Sequence, residues 1–241
     1  MQLQLDPSSI FYTVIYLVSV LLICLTFHEA AHAWTALQLG DDTPKKMGRV
    51  SLNPLHHLDP VGSGLMLMSL VLFHVGLGWG KPVQIDATKL KPSPKVGMAI
   101  VAIAGPVSNL ILATLGALIL RTHLLTFNPQ KFFTIGGQNY YFSPGLFLET
   151  FVLLNLTLML FNLIPLAPLD GSRVWQIALP DKIYWQYARY EIFAAFLVIA
   201  LVLLDITLGT GILSRILTTP VCGMWRLLVG FGTPDMCTQL Q

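Results

Sequence analysis

The chain has 241 residues, 54% hydrophobic and 11% charged, with a mean hydropathy of +0.69, far more apolar than a soluble domain. A soluble scaffold is thereby excluded, and a formal charge of only +2, scattered along the sequence, excludes a nucleic-acid surface. The expectation is an all-α membrane protein: one polytopic helical bundle over residues 1–241, whose three cysteines are too few and too far apart for a disulfide framework or a Cys-based zinc site.

Spanning ~30 Å of hydrocarbon takes about 20 residues of helix, and residues 10–39, 96–120, 146–166 and 190–209 are apolar enough to do so. The first span contains LLICLTFHEAAHAWTALQLG, residues 21–40. It reads as a retained helix rather than a signal peptide, because residues 1–9 hold Asp6 and no Lys or Arg, and the apolar run is longer than a signal core. Four residues apart on a helix, His28 and His32 project from one face and can grip one cation, with Glu29 beside them. Ionisable groups inside a membrane helix are expensive and tend to be functional. The bland alternative is a polar patch that packs against other helices or closes a proton path.

A catalytic zinc takes three protein ligands and keeps one open position. Candidates for the third ligand are Asp59, Glu149, Asp170, Asp205 and the remaining histidines. The next apolar segment, PVGSGLMLMSLVLFHVGLGWG at residues 60–80, has an uninterrupted apolar centre of only about 17 Å as a helix, flanked by glycines and holding His74. It predicts a re-entrant hairpin. Charge supports this: if the segment crossed, Lys and Arg would divide seven and seven. If it returns, Lys45, Arg49, Lys81 and seven others share one side and Arg121, Lys131, Arg215 and Arg226 the other. The richer side is expected to face the cytoplasm. Asp59, before Pro60, is expected to cap the start of the hairpin.

Residues 82–86 alternate around Val83 and Ile85 between breaking prolines, which predicts a small β-like segment, an edge strand or a loop. In the span at 96–120, AGPVSN offers Gly105 for close helix approach and Asn109 for a bond across helices or a place in the site. After 146–166 comes FNLIPLAPLDGSRVW, where Pro165 and Pro168 forbid regular helix and free the chain to turn Asp170 inward. Asp170 is the preferred third ligand; its alternative role is to cap a short helix over 172–179. Asp170 and the two histidines all lie near the exit ends of their spans, so they can share a metal only if those spans run parallel. The returning hairpin makes them parallel. At the C-terminal end, 211–231, with Arg215, Pro220 and Arg226, predicts an interfacial amphipathic helix.

HEAAH, NPLHHLDPVG, GWGKPVQID, AGPVSN and NLIPLAPLDG, in this order between residues 20 and 180, resemble the site-2 protease family of intramembrane zinc metalloproteases, in particular its short prokaryotic members without PDZ or CBS domains. The resemblance implies a protease domain with its catalytic core at about 10–180; the C-terminal helices expected over 188–231 carry no family motif and complete the single domain. It implies Zn2+ held by His28, His32 and Asp170, Glu29 as catalytic acid/base, and Asn162 as the amide that orients or stabilises the substrate carbonyl. It also implies a prokaryotic plasma (inner) membrane location and single-span membrane-protein substrates such as anti-sigma factors, membrane-tethered regulators or remnant signal peptides. Residues 82–86, with Val83 and Ile85, are expected to hold an opened substrate by strand addition. The competing class is a metal-ion or proton transporter using the same ligands, against which stands the lack of an internal repeat. His56 and His57 read as loop histidines near the site, and Ser172 lies in no nucleophile motif.

Overall fold

A computed structural model of the chain describes residues 7–73, 80–125, 127, 130–135, 138–180, 182–184 and 190–230. It is that of an α-helical polytopic membrane protein. The helices, in chain order, are α1 (Pro7–Gln38), α2 (Thr43–Lys46), α3 (Pro60–Phe73), α4 (Pro94–Arg121), α5 (Pro144–Asn162), α6 (Asp170–Trp175), α7 (Glu191–Leu208) and α8 (Ile212–Val229). Three described stretches are long and apolar enough to cross a membrane: Leu17–Gln38, Pro94–Arg121 and Pro144–Asn162. The expected span at 190–209 forms α7, an apolar helix of 18 residues.

Local chemistry sets the helix limits. Ser93 and Ser143 cap α4 and α5 by accepting from the N–H groups of Val96 and Leu146, and a proline follows each cap, where its missing N–H costs nothing. Helix α5 stops at Asn162, four residues before the expected limit, because Pro165 cannot continue the ladder.

Cross-helix pairs give the directions. Asn155 of α5 reaches Cys24 of α1, while Asp170, past the end of α5, reaches His28 and His32 farther along α1, so α1 and α5 run parallel. Helix α4 runs against both: Val101 meets His32, Asn109 meets His28 and Asn155. Gly116 allows α4 and α5 to touch, since a Cβ there would lie 2.7 Å from Val152.

The hairpin expected at 60–80 leaves and returns at one point. The N–H of Lys81 donates to the carbonyl of His57 at 2.8 Å, and Asp59 Oδ1 accepts from Val61 and Gly62 at the start of α3. The described part of α3, 14 residues, measures about 21 Å. Its far end, with His74, lies outside the described residues.

The β-like segment expected at 82–86 is not a strand. Pro82 has no N–H to give, no strand pairs with this stretch among the described residues, and the N–H of Asp86 at its end donates instead to Asp41 Oδ2 at 2.7 Å. The strands lie instead at β1 (Gln130–Ile135) and β2 (Gln138–Phe142), an antiparallel hairpin between α4 and α5. Helix α8 is amphipathic as expected, but its buried face, Val221, Cys222, Trp225 and Val229, packs on Ala113, Ala117, Val152 and Leu156 of α4 and α5. Protein thus covers much of the surface assigned to lipid. Cys24 is a free buried thiol and Cys222 is disulfide-bonded.

Asp41 is fully buried and takes the N–H groups of both Thr43 and Asp86, tying the end of α1 to the segment after the hairpin. Replacing Asp41 by Ala strands both donors and should cost about 2–3 kcal/mol. Thermal unfolding in detergent should show a lowered midpoint, whereas an unchanged midpoint would mean that water satisfies the two amides.

Candidate metal centre

Near the C-terminal end of α1, the imidazoles of His28 and His32 point at each other and at the Asp170 carboxylate. The two Nε2 atoms are 3.0 Å apart, and Asp170 Oδ2 lies 3.1 Å from one and 3.3 Å from the other. Both histidines are buried and the carboxylate nearly so.

The opposite nitrogen of each ring explains why. His28 Nδ1 is 2.6 Å from Asn109 Oδ1, and His32 Nδ1 is 2.7 Å from the Val101 carbonyl. A backbone carbonyl only accepts, so His32 Nδ1 must carry the proton. Asn109 donates its own amide to Asn155 Oδ1 at 2.8 Å, which turns its oxygen toward His28 and makes that Nδ1 a donor too. Each ring therefore presents a bare Nε2 lone pair to the other, and Asp170 Oδ2 is buried without a hydrogen-bond donor. Three electron-rich atoms held this close repel one another unless a cation lies among them.

Their spacing suits zinc. Tetrahedral zinc with bonds of about 2.0–2.1 Å to nitrogen and oxygen separates its ligand atoms by about 3.3–3.4 Å, and the observed edges are 3.0–3.3 Å. Among the described residues, His28, His32 and Asp170 are the group of potential ligands that could hold a metal ion. Burial disfavours the charge of Asp170, and positive charge on the adjoining imidazoles would lower its pKa; beside two neutral rings the carboxylate needs a cation among the three atoms to stay ionised.

Asp170 sits at the first position of α6, after Leu169, so it does not cap the helix from outside. Gly171 follows because nothing larger fits: a Cβ there would overlap the Leu163 carbonyl. Gly105 of α4 lies under the histidine pair, where a Cβ would meet His32 Nε2 and come within 2.6 Å of His28 Nε2. Glu29 is half-buried next to His28 and has no hydrogen-bond partner among the described residues. Asn162 ends α5 and donates one amide hydrogen to the Leu158 carbonyl at 2.9 Å. Asn109 is fully buried with both ends of its amide committed, which makes it an orienting group for His28. Ile85 packs against Ala36, Leu90, Met98 and Val101, and Val83 is half-buried beside it in sequence. His57, expected as a loop histidine, is buried and donates to the Ser51 carbonyl.

Sequence reasoning passed over two supports of the site. Asn155 carried a legible signal, a lone amide in the apolar run FVLLNLTLML. The Val101 carbonyl carried none, since every residue has one. Replacing Asn109 by Leu removes the acceptor that fixes the His28 tautomer and should weaken zinc binding about 10- to 100-fold. Competition with a zinc-binding dye would read this, and an unchanged affinity would show that the ring is oriented by packing alone.

A Bacillus subtilis protein named "Putative zinc metalloprotease YwhC" is 38% identical to the chain over 199 residues, 82% of this chain and 84% of that protein. Proteins named "Putative zinc metalloprotease Rip2" from Mycolicibacterium smegmatis and Mycobacterium tuberculosis are 30% and 31% identical over 151 residues, 62% of this chain. The match spans about half the length of these mycobacterial relatives, 52% in each. No family model matches the chain, and no solved structure does.

Proposed function

The chain belongs to the zinc metalloprotease family of YwhC, and from this premise we propose that it is an intramembrane protease of the site-2 type, cutting peptide bonds in or near the membrane segments of single-span proteins. The observation that carries the reading is the triangle of His28, His32 and Asp170 set among α1, α4 and α5, helices whose length and apolarity suit a bilayer. Its ligands would be those three side chains. A zinc ion held by them would supply Lewis acidity for a peptide carbonyl and for a water molecule. Glu29 takes the proton of the attacking water and passes it to the leaving nitrogen as the C–N bond breaks, so one water is consumed and no proton is lost. Asn162 keeps one amide hydrogen beyond the one given to Leu158 and donates it to the developing oxyanion.

The substrate backbone must open before a helical carbonyl can react. Residues 82–85 pair with no strand among the described residues, which supports strand addition by their backbone and Val83, with Ile85 anchoring the segment inward. Anti-sigma factors, membrane-tethered regulators and remnant signal peptides are the substrates of suitable form. The basic residues that end on the ligand side of α1 support a cytoplasmic-facing site in the plasma (inner) membrane of a prokaryote.

The test is cleavage of single-span reporters by the purified chain in liposomes. Treatment with 1,10-phenanthroline should abolish cleavage and added zinc should restore it. Zinc crossing the liposome membrane through the protein, with every reporter left intact, would overturn the reading in favour of transport.

A further inference from the structure

Beyond the metal centre, the loop between α2 and α3 encloses a second polar feature. Arg49 is only 2% exposed, yet no acidic side chain pairs with it among the described residues. Its Nη1 donates to the backbone carbonyls of His56 and Lys81, stapling the loop to the returning end of the hairpin, while Nη2 is buried with no partner among the described residues. A buried guanidinium without a counter-charge is costly unless an anion completes it. Beside it lies an open cavity of about 240 Å³, bounded by Arg49, His56 and Lys81 with Met47, Leu55 and Leu58. None of its lining residues is acidic. The Lys81 ammonium is exposed and has no partner among the described residues.

We propose that this cavity is a binding site for a phosphate group. With both Nη1 hydrogens given to carbonyls, the fork left for phosphate oxygens is the edge formed by Nη2 and Nε, and Lys81, which also lines the cavity, adds a second cation. The Arg49 guanidinium is held at the site by its Nη1 bonds, and the main chain of Lys81 by its N–H bond to the His57 carbonyl. The phosphate can arrive on a lipid headgroup or free in solution. The surroundings favour the lipid: Leu52 and Leu55, on the same loop, are 60% and 72% exposed, so apolar side chains project next to the cationic cavity as they would at a bilayer surface. The proposal stands apart from the catalytic reading, since none of its residues touches His28, His32 or Asp170.

The full chain in neutral detergent, in phosphate-free buffer, would be titrated with inorganic phosphate and glycerol 1-phosphate by calorimetry. Native mass spectrometry would compare retained phosphatidylglycerol with a phosphate-free glucosyl diacylglycerol. Binding of at least one phosphate probe is expected, with Lys81→Gln weakening it about tenfold at an unchanged unfolding midpoint. Arg49→Lys keeps the charge and removes the fork, and should weaken it further; Lys81→Gln keeps the test decisive if Arg49→Lys fails to fold. Retention of phosphatidylglycerol alone assigns the phosphate to a lipid, and binding of glycerol 1-phosphate without lipid preference assigns it to a soluble ligand. Equal retention of the two lipids with no binding of soluble phosphate would overturn the proposal, as would equal binding by wild type and Lys81→Gln, or tighter binding of a hexaglutamate peptide than of any phosphate probe.

Discussion

Glu29→Gln should stop hydrolysis while the protein still binds one zinc ion per chain. Glutamine keeps the shape and half-buried position of the residue but cannot accept a proton, and His28, His32 and Asp170 are untouched. Loss of a general base of this kind lowers the rate by about 10²–10⁴-fold, or some 3–5 kcal/mol of barrier. Metal analysis and reporter cleavage measured on the same preparation separate the two effects. Cleavage at more than about a tenth of the wild-type rate with full zinc would remove Glu29 from the mechanism. Loss of zinc together with cleavage would instead make Glu29 part of the metal site. The same variant in cells should lose the membrane-protein fragments that the wild type generates, which makes it the natural control for finding substrates by proteomics.

Gly105→Ala should be nearly as damaging, although it adds one methyl group and touches no charge. The new carbon would occupy the space of the His32 and His28 ring nitrogens. Surface side chains swing away from such a collision, but these rings cannot, because each is tied through Nδ1 to α4 itself, at Val101 and Asn109. Either the helices part or the rings rotate off their bonds, and overpacking of this sort costs about 1–3 kcal/mol. Zinc affinity should fall about 100-fold, with a lowered unfolding midpoint. By contrast, Ala at the exposed Gly64, where a Cβ meets nothing within 4 Å, should change neither quantity. Wild-type zinc affinity in Gly105→Ala would mean that α4 does not press on the histidines as the structure has it.

These outcomes bear on the central distinction between hydrolysis and transport. A transport pathway needs the ligands to let go of the ion and to face both sides in turn. Here each histidine is tied from behind by a hydrogen bond, Asn109 and Asn155 extend that support across α4 and α5 as far as Cys24, and Gly171 admits no slack behind Asp170. A rigid, preorganised ligand set suits a resident ion with one open position.

The amino-acid sequence by itself determined the membrane character, the pairing of His28 with His32 and the direction of the helices around them. Spacing alone puts His28 and His32 on one helical face, because the α-helix has one period whatever surrounds it. Asp170 was reachable from topology, since only a returning segment at 60–80 lets α1 and α5 run in the same direction. What the tertiary structure alone decided is the set of contacts made through groups that every residue shares or that sequence leaves ambiguous. The Val101 carbonyl that orients His32, the inward commitment of Asn109 and Ile85, and the bond from Asp86 to Asp41 at the end of 82–86 depend on which backbone atoms come to face one another. The strands at 130–135 and 138–142 follow a local pattern, the alternation in KFFTI and QNYYF, whereas the destination of α8 is not written locally at all. An amphipathic helix records that it has an apolar face; whether lipid or protein covers that face is settled by the free surface that α4 and α5 leave open.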